Sequence, residues 1–328
     1  MHKDVLPQIL SRFGVEAKSI DVAQKGYRNN TYRVIDESAR AYNLIVFKKE
    51  PNAIAHIRLS NSVGQFLHER NLPVRHPIDS RVLKTFKGPP PTYAGLYNYL
   101  PGETIPWEAY TRKHLVNLGK TFSDMHGLLA DYEYSKSDPR AHEVQVYQLK
   151  RMATYFKKPG VTTAMKDKLG LSIITDQLQP LEKLLEVVGN SSNKQMLHMD
   201  FVRGNILFNE QAEITGIIDF EKASVGHPVL DVARTLAFLL VDCKYKSQLE
   251  VQKAFFYSGY QKRGSAALPR IVDLGCDRTM EILSQLVGLF LLHDFYKFLL
   301  HNPYESLLGN EHYVRTATEL LKRNILSS

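Results

Sequence analysis

Hydrophobic and polar positions change period several times along this 328-residue chain, and each change marks an element. Residues 4–13 carry apolar positions at helical spacing and stop at Gly14, which predicts a short amphipathic helix. "SIDVAQ", "TYRVID" and "AYNLIVFKK" follow, rich in β-branched and aromatic residues, and predict three strands. The short polar links "KGYRNN" and "ESAR" make them an antiparallel meander. Residues 53–70 return to a helical period until the two prolines of "NLPVRHP" break it. "RVLKTF" and "TYAGLYNYL", on either side of "KGPPP", add two more strands.

The texture changes at "LPGE", residues 100–103. Over 111–130, Leu115, Leu118, Phe122, Met125 and Leu129 recur at alternating steps of three and four, one apolar stripe of a helix. Helices are also expected over 140–157, 162–188 and much of 228–325. A strand-rich patch at 196–220 interrupts them, with 206–208 and 214–218 expected to pair as a hairpin. The fold class is α+β: a small antiparallel-sheet lobe over 1–100, then a larger helical lobe over 101–328. No internal repeat or low-complexity segment appears.

Composition narrows the function classes. Hydrophobic residues make up 44% and charged residues 23%, which is ordinary for a globular core. The net charge of +8 is spread over short pairs such as Lys48-Lys49, without a basic arm or an aromatic-basic ladder. That pattern argues against nucleic acid and fits a groove that attracts phosphates. Cys243 and Cys276 form no CxxC pattern, which argues against a disulfide scaffold or zinc site and fits a reducing cytoplasm. The charged, proline-broken N-terminal stretch does not read as a signal peptide. The apolar run "LVGLFLL", 286–292, is too short to span a bilayer and reads as a buried helix segment.

The candidate chemistry sits in "MLHMDFVRGNILF", 196–208, and "ITGIIDFEKASVGHPVLDVAR", 214–234. The first sets His198, Asp200 and Asn205 between two apolar runs; the second runs a buried strand into Asp219. A hairpin between them would bring Asp200, Asn205 and Asp219 to one end. Two carboxylates and an amide oxygen are hard ligands that suit Mg²⁺, which completes its shell with phosphate oxygens and water. One carboxylate remains to orient or deprotonate a hydroxyl.

"HMDFVRGN" followed by "IIDFE" and "GHPVLDVAR" resembles the catalytic loop and metal motif of the aminoglycoside/choline kinase-type phosphotransferases, a branch of the protein kinase-like fold. The resemblance runs in order through most of the chain. It implies a bilobal kinase-like fold and Mg²⁺-dependent transfer of the γ-phosphate of ATP or GTP to a small hydroxylated acceptor. It assigns Asp200 as catalytic base or hydroxyl-orienting group, Asn205 and Asp219 as metal ligands, and His198 as a brace of the loop. In "KGYRNNTYRV", Gly26 would let the backbone approach the nucleotide and Asn30 would pin the turn. "LYNYLPGE" resembles the adenine-binding hinge, with Tyr97, Asn98 and Tyr99 as backbone candidates. "YNLIVFKKE" resembles the lysine-bearing strand; the family's lysine position falls near Ile45, and Lys48 is taken over Lys49 as the phosphate contact.

Departures from the family pattern are equally legible. The helix at 53–68 holds no acid to pair with that lysine, so the pair is absent or rebuilt with Glu50. Met199 replaces a usual glycine, and Val202 a usual His or Lys. Arg203 either meets a phosphate or is a surface arginine. Glu221 either meets the acceptor or buttresses the loop. Asp231 is expected to tie the catalytic segment by hydrogen bonds, and His126 to be a packing histidine. The aromatic residues of the C-terminal helices, and Trp107, read as core rather than a choline box. A nucleotide-binding pseudokinase is the alternative reading. A protein kinase is disfavoured because no room for an activation loop follows "IIDFE". Oligomeric state is left open.

Overall fold

The structure, a computed structural model, describes residues 5–25, 29–86, 91–261 and 279–328. In chain order the first elements are α1 (Val5–Arg12), β1 (Ala17–Lys25), β2 (Asn30–Asp36), β3 (Ala41–Val46), α2 (Ala53–His68), β4 (Leu83–Phe86) and β5 (Thr92–Asn98). Then come α3 (Arg112–Leu129), α4 (Ala141–Phe156), α5 (Pro159–Leu169), β6 (Ser172–Ile173), α6 (Leu178–Asn190) and β7 (Gln195–Leu197). β8 (Ile206–Phe208), β9 (Ile214–Ile217), β10 (Ser224–Gly226), α7 (Pro228–Asp242) and α8 (Gln248–Gln252) follow. A π-helical segment, Lys253–Gln261, extends α8. The described chain closes with α9 (Thr279–His301), α10 (Glu311–Lys322) and β11 (Leu326–Ser327).

Two compact units divide the chain: Met1–Thr104 with Asn205–Ala223, and Ile105–Gly204 with Ser224–Ser328. The sequence boundary drawn at 100/101 thus lies near 104/105, and the hairpin β8–β9 folds with the first unit.

The first unit is built on an antiparallel sheet of order β1-β2-β3-β5-β4. Strand alternation sends Val34, Leu44, Val46, Ala94 and Leu96 to one face, where Leu6, Ile9, Leu10 and Phe13 of α1 and its C-terminal flank cover them. Each buried Val, Leu or Ile among them contributes about 1.5–3 kcal/mol. Ile45, Phe47 and Tyr97 point to the other face and pack with Ala53 and Ile57 of α2. The Tyr97 hydroxyl donates to Asn61 Oδ1 at 2.9 Å. The β8–β9 hairpin is sewn to this unit at two places. The Ile217 N–H donates to Pro73 O, and the Ile217 carbonyl accepts from Arg75 N–H, at 2.8 and 2.9 Å. Glu103 and Phe208 exchange both backbone bonds.

In the second unit the α3 stripe is buried as its period requires: Leu115, Leu118, Phe122, Met125 and Leu129 are at most 1% exposed. Thr111 caps α3 in a capping box with His114. The helix expected over 162–188 is two helices. Gly170 ends α5 in the left-handed conformation, β6 follows, and α6 begins at Leu178. β6 pairs with β11, and β7 with β10. α7 is buried along nearly its whole length and packs against α9. The helix holding "LVGLFLL" is longer than the apolar run suggested. Met280–His301 is long and apolar enough to cross a bilayer by composition, yet 78% of its most apolar window is buried in the protein. Cys243 is a buried free thiol whose Sγ lies 3.4 Å from Trp107 O.

Candidate active site

The catalytic-loop candidates lie in the second unit, between β7 and β8. Asp231, fully buried in the first turn of α7, organises the loop. Its carboxylate accepts the backbone N–H of His198 at 2.8 Å and of Met199 at 2.9 Å. Met199 takes φ +56°, a left-handed conformation that a side-chain-bearing residue adopts only when its surroundings hold it there. The family's glycine would meet no strain at this position, so Met199 depends on Asp231. His126 Nε2 lies 3.2 Å from the same carboxylate, and its Nδ1 lies 2.7 Å from the Tyr260 hydroxyl. A carboxylate can only accept, so Nε2 carries the proton, and in the neutral ring Nδ1 accepts from Tyr260. His126 is therefore a link in a buried chain as well as a packed histidine. His198, also buried, accepts the Asp200 N–H on Nδ1 at 3.1 Å. Thr235 donates to Phe201 O at 3.0 Å, and Phe201 stacks on Phe122 at 4.3 Å. Helices α3 and α7 thus fix the loop from both sides.

Asp200 is 8% exposed, and its Oδ1 accepts from Arg234 Nη2 at 2.9 Å. Sequence reading missed Arg234. The signal was present in "PVLDVAR", where Asp231 and Arg234 lie three residues apart and share a helix face. Asp200, Arg203 and Arg234 border a cavity of about 530 Å³ within this unit. Trp107 also borders it but is only 1% exposed, in keeping with an anchoring role.

Asn205 and Asp219 lie in the first unit, brought together by the hairpin. Ile206 pairs with Ile217, and the Ile218 N–H donates to Asn205 O at 3.0 Å. Asp219 follows at φ +67°, with Oδ1 3.3 Å from the Glu221 N–H. Among the described residues no cluster of three His, Cys, Asp or Glu side chains could cage a metal. An amide oxygen and a carboxylate at one end of a paired hairpin are hard donors of the kind Mg²⁺ takes, since it is held by one or two protein ligands plus phosphate oxygens and water.

Asn29, next to the Asn30 expected to pin the turn, makes the side-chain bonds found here. Its side-chain Nδ2 donates to Glu221 Oε1 at 2.6 Å, and its Oδ1 accepts the Lys48 N–H at 3.0 Å. Asn30 is exposed, with its backbone in the sheet between Lys25 and Val46. Glu221 is thus bonded within its own unit. Gly26 lies outside the described residues.

The hinge reading also divides. Tyr93 O accepts the Phe47 N–H, while Leu96 O and Asn98 N bond to Ile78 and His76 on the opposite edge of β5. Alternation then directs the backbone groups of Tyr97 at its partner Asn43 in β3, where they serve the ladder. Tyr97 is buried and unsuited to a hinge contact; its hydroxyl holds α2 instead. Asn98 clamps the 74–76 segment through its side chain. Tyr99, just past β5, remains, half exposed with the Arg33 guanidinium 4.7 Å above its ring.

Lys48 and Lys49 follow β3, both exposed, and pair with no carboxylate among the described residues. Ile45 is buried facing α2. α2 has no acidic residue, and the neutral Tyr97–Asn61 bond ties it to the sheet; Glu50 forms no ion pair among the described residues.

The sequence matches the family model described as the phosphotransferase enzyme family (APH) over residues 19–262, well over half its length. The chain belongs to that family. No curated protein sequence matches it significantly. Among solved structures, an amicoumacin kinase, hAmiN, bound to AMP-PNP, Ca²⁺ and Ami is similar at TM-score 0.70 and 15% identity, over 99% of this chain and 97% of that one. The aminoglycoside phosphotransferase APH(4)-Ia gives 0.61 and 14%, over 98% of each chain. Plasmodium vivax ethanolamine kinase gives 0.60 and 14%, over 98% of this chain and 86% of the other. The α+β fold is kinase-like, and the chain is a phosphotransferase of this family.

Proposed function

We propose that this enzyme transfers the γ-phosphoryl group of ATP or GTP to a hydroxyl of a small molecule, with Mg²⁺ as cofactor. The observation that carries the reading is Asp200, held at the edge of a cavity by Asp231 below and Arg234 beside it. In this scheme Asp200 aims the acceptor oxygen and takes its proton. Arg234 keeps the Asp200 carboxylate oriented. Asn205 and Asp219 would hold the cation, which supplies charge neutralisation at the phosphates. Lys48, with its backbone fixed by Asn29, contacts a phosphate, and Arg203 supplies a second positive group. Gly26 admits the phosphates to the backbone, and Tyr99 offers hinge backbone to the base. Most of the rate enhancement then comes from positioning and electrostatics.

The pseudokinase alternative draws on α2, which lacks the acid that usually clamps the lysine. The complete Asp200, Asn205 and Asp219 set speaks against it. One experiment addresses both. Mg-ATP and Mg-GTP are added in a thermal-shift assay, then turnover is followed by nucleoside diphosphate release across hydroxylated acceptors. A ligand selective for the native state raises Tm. Asp200→Asn should keep the nucleotide-induced shift and lose turnover. Absence of any shift at millimolar nucleotide would overturn the proposal.

A further inference from the structure

The cavity beside Asp200 carries a charge pattern that bears on the acceptor. Five basic groups border it: Arg203, Arg234, Lys244, His312 and Arg315. Four carboxylates do so as well: Glu108, Asp200, Asp242 and Glu311. Most of these charges are spoken for. Arg234 pairs with Asp200 at 2.9 Å and Lys244 with Glu311 at 2.7 Å. His312 lies between Asp242 on Nδ1 at 2.6 Å and Asp294 on Nε2 at 2.7 Å. Both ring nitrogens face carboxylates, so the ring is an imidazolium shared by Asp242 and Asp294, one positive charge against two negative ones. Outside these pairings stand Glu108, Arg203, which the phosphotransfer reading assigns to the nucleotide phosphates, and Arg315; neither guanidinium pairs with a carboxylate among the described residues. Arg315 is half-buried and fixed by its Nε–H bond to Val241 O at 2.6 Å, which leaves its terminal nitrogens as donors. A pre-positioned guanidinium of this kind takes an oxyanion through two parallel bonds.

The aromatic surface points the same way. A quaternary ammonium needs open ring faces. Of the three rings that border the cavity, Trp107 is only 1% exposed, Tyr313 packs against Phe298 and His312 at 4.1 and 4.8 Å, and Phe238 has the Arg234 guanidinium 5.3 Å from its centroid and the His312 ring stacked at 6.4 Å. The faces of Phe238 already serve the protein's own cations.

We infer that the acceptor carries an oxyanion, a carboxylate or a phosphate, near the hydroxyl that receives the phosphoryl group, and that Arg315 recognises it. This rests on the phosphotransfer reading of Asp200. In the step itself the acceptor oxygen bonds to the γ-phosphorus, the bond to the β-bridging oxygen breaks, the hydroxyl proton passes to Asp200, and the nucleoside diphosphate leaves.

The test uses the full chain with Mg-ATP and Mg-GTP. Acceptors are offered at matched concentration in four groups: hydroxy and hydroxyamino acids, sugar phosphates, uncharged polyols, and amino alcohols. Tm and diphosphate release are both read. Turnover should be confined to the first two groups, and which of them responds separates carboxylate from phosphate. Arg315→Gln should raise KM for the active acceptor by about tenfold or more, with a much smaller change in kcat and the nucleotide-induced Tm shift retained. Arg315→Lys, which keeps the charge without the fork, should recover part of that loss. Preferential turnover of amino alcohols or polyols, or an unchanged KM in Arg315→Gln, overturns the inference. So does a nucleotide shift in Tm with no response to any anionic acceptor, an outcome that spares the phosphotransfer reading. Failure of both nucleotides to shift Tm would instead remove that reading.

Discussion

Replacing Asp231 by asparagine tests whether one buried carboxylate holds the catalytic loop in shape. Asp231 accepts from two consecutive backbone N–H groups, at 2.8 and 2.9 Å, and faces His126 Nε2 at 3.2 Å, with no solvent exposure. An asparagine keeps one acceptor oxygen and turns an NH₂ toward a donor. At least one buried N–H then loses its partner, at about 1–3 kcal/mol, and the remaining bonds lose their charge assistance. The sum is about 3 kcal/mol, a large share of the 5–15 kcal/mol by which proteins of this kind are stable. The loss should be concentrated in the loop. Met199 would be free to leave φ +56°, and Asp200 would shift with it. A displacement of about 1 Å in a catalytic group costs about a hundredfold in rate. Hydrogen exchange at the His198 and Met199 amides, urea unfolding and kcat should be measured on the same preparation. Unchanged amide protection, a stability loss below about 1 kcal/mol and a kcat within a few-fold of wild type would refute the reasoning.

Further outcomes are expected elsewhere. Burial is the largest single influence on His312 and lowers its pKa, but its bonds to Asp242 and Asp294 together outweigh it and raise the pKa to about 9. Its stabilising contribution is therefore full below the ordinary value near 6.5 and disappears as pH rises through about 9. Urea midpoints should fall across that window in wild type and less in His312→Gln; a flat difference would contradict this. Gly119→Ala should destabilise the second unit by about 1–3 kcal/mol, because its added Cβ would meet the Phe255 carbonyl and the Tyr260 backbone. An unaltered Tm would show that the π-helical segment moves aside at little cost. Tyr97→Phe should cost about 1 kcal/mol by removing the bond to Asn61, and should loosen α2 amides selectively in hydrogen exchange. Equal loosening throughout the first unit would argue against that bond as the anchor of α2.

What was legible in the sequence was whatever a local period or a short spacing encodes. The α3 stripe, the β1–β3 meander and the Ile206–Ile217 hairpin depend on neighbours a few residues apart, and each formed close to its expected bounds. The spacing of Asn205 and Asp219 was readable because a two-stranded hairpin converts sequence distance into register. The features that escaped depend on partners far apart in the chain. Asn29 and Asn30 are indistinguishable by residue type, and the bond from Asn29 to Glu221 joins partners far apart in the chain. Tyr97 resembled a hinge residue because strand direction cannot be read from a single strand. His312 draws its carboxylates from α7 and α9, and nothing local to "EHYV" announces them. The break between α5 and α6 escaped because apolar spacing ran through Gly170, although a left-handed cap was available there.

The interrupted course of the first unit bears on how the protein emerges from the ribosome. Domains made early in synthesis usually close first. Here Ile217 and Phe208 complete backbone pairings with Pro73, Arg75 and Glu103 that the nascent chain must keep waiting while a hundred intervening residues are still being made. Final closure of the amino-terminal sheet assembly is thus a late event in translation, and a chain arrested shortly before β8 would present an unfinished edge to proteases and chaperones.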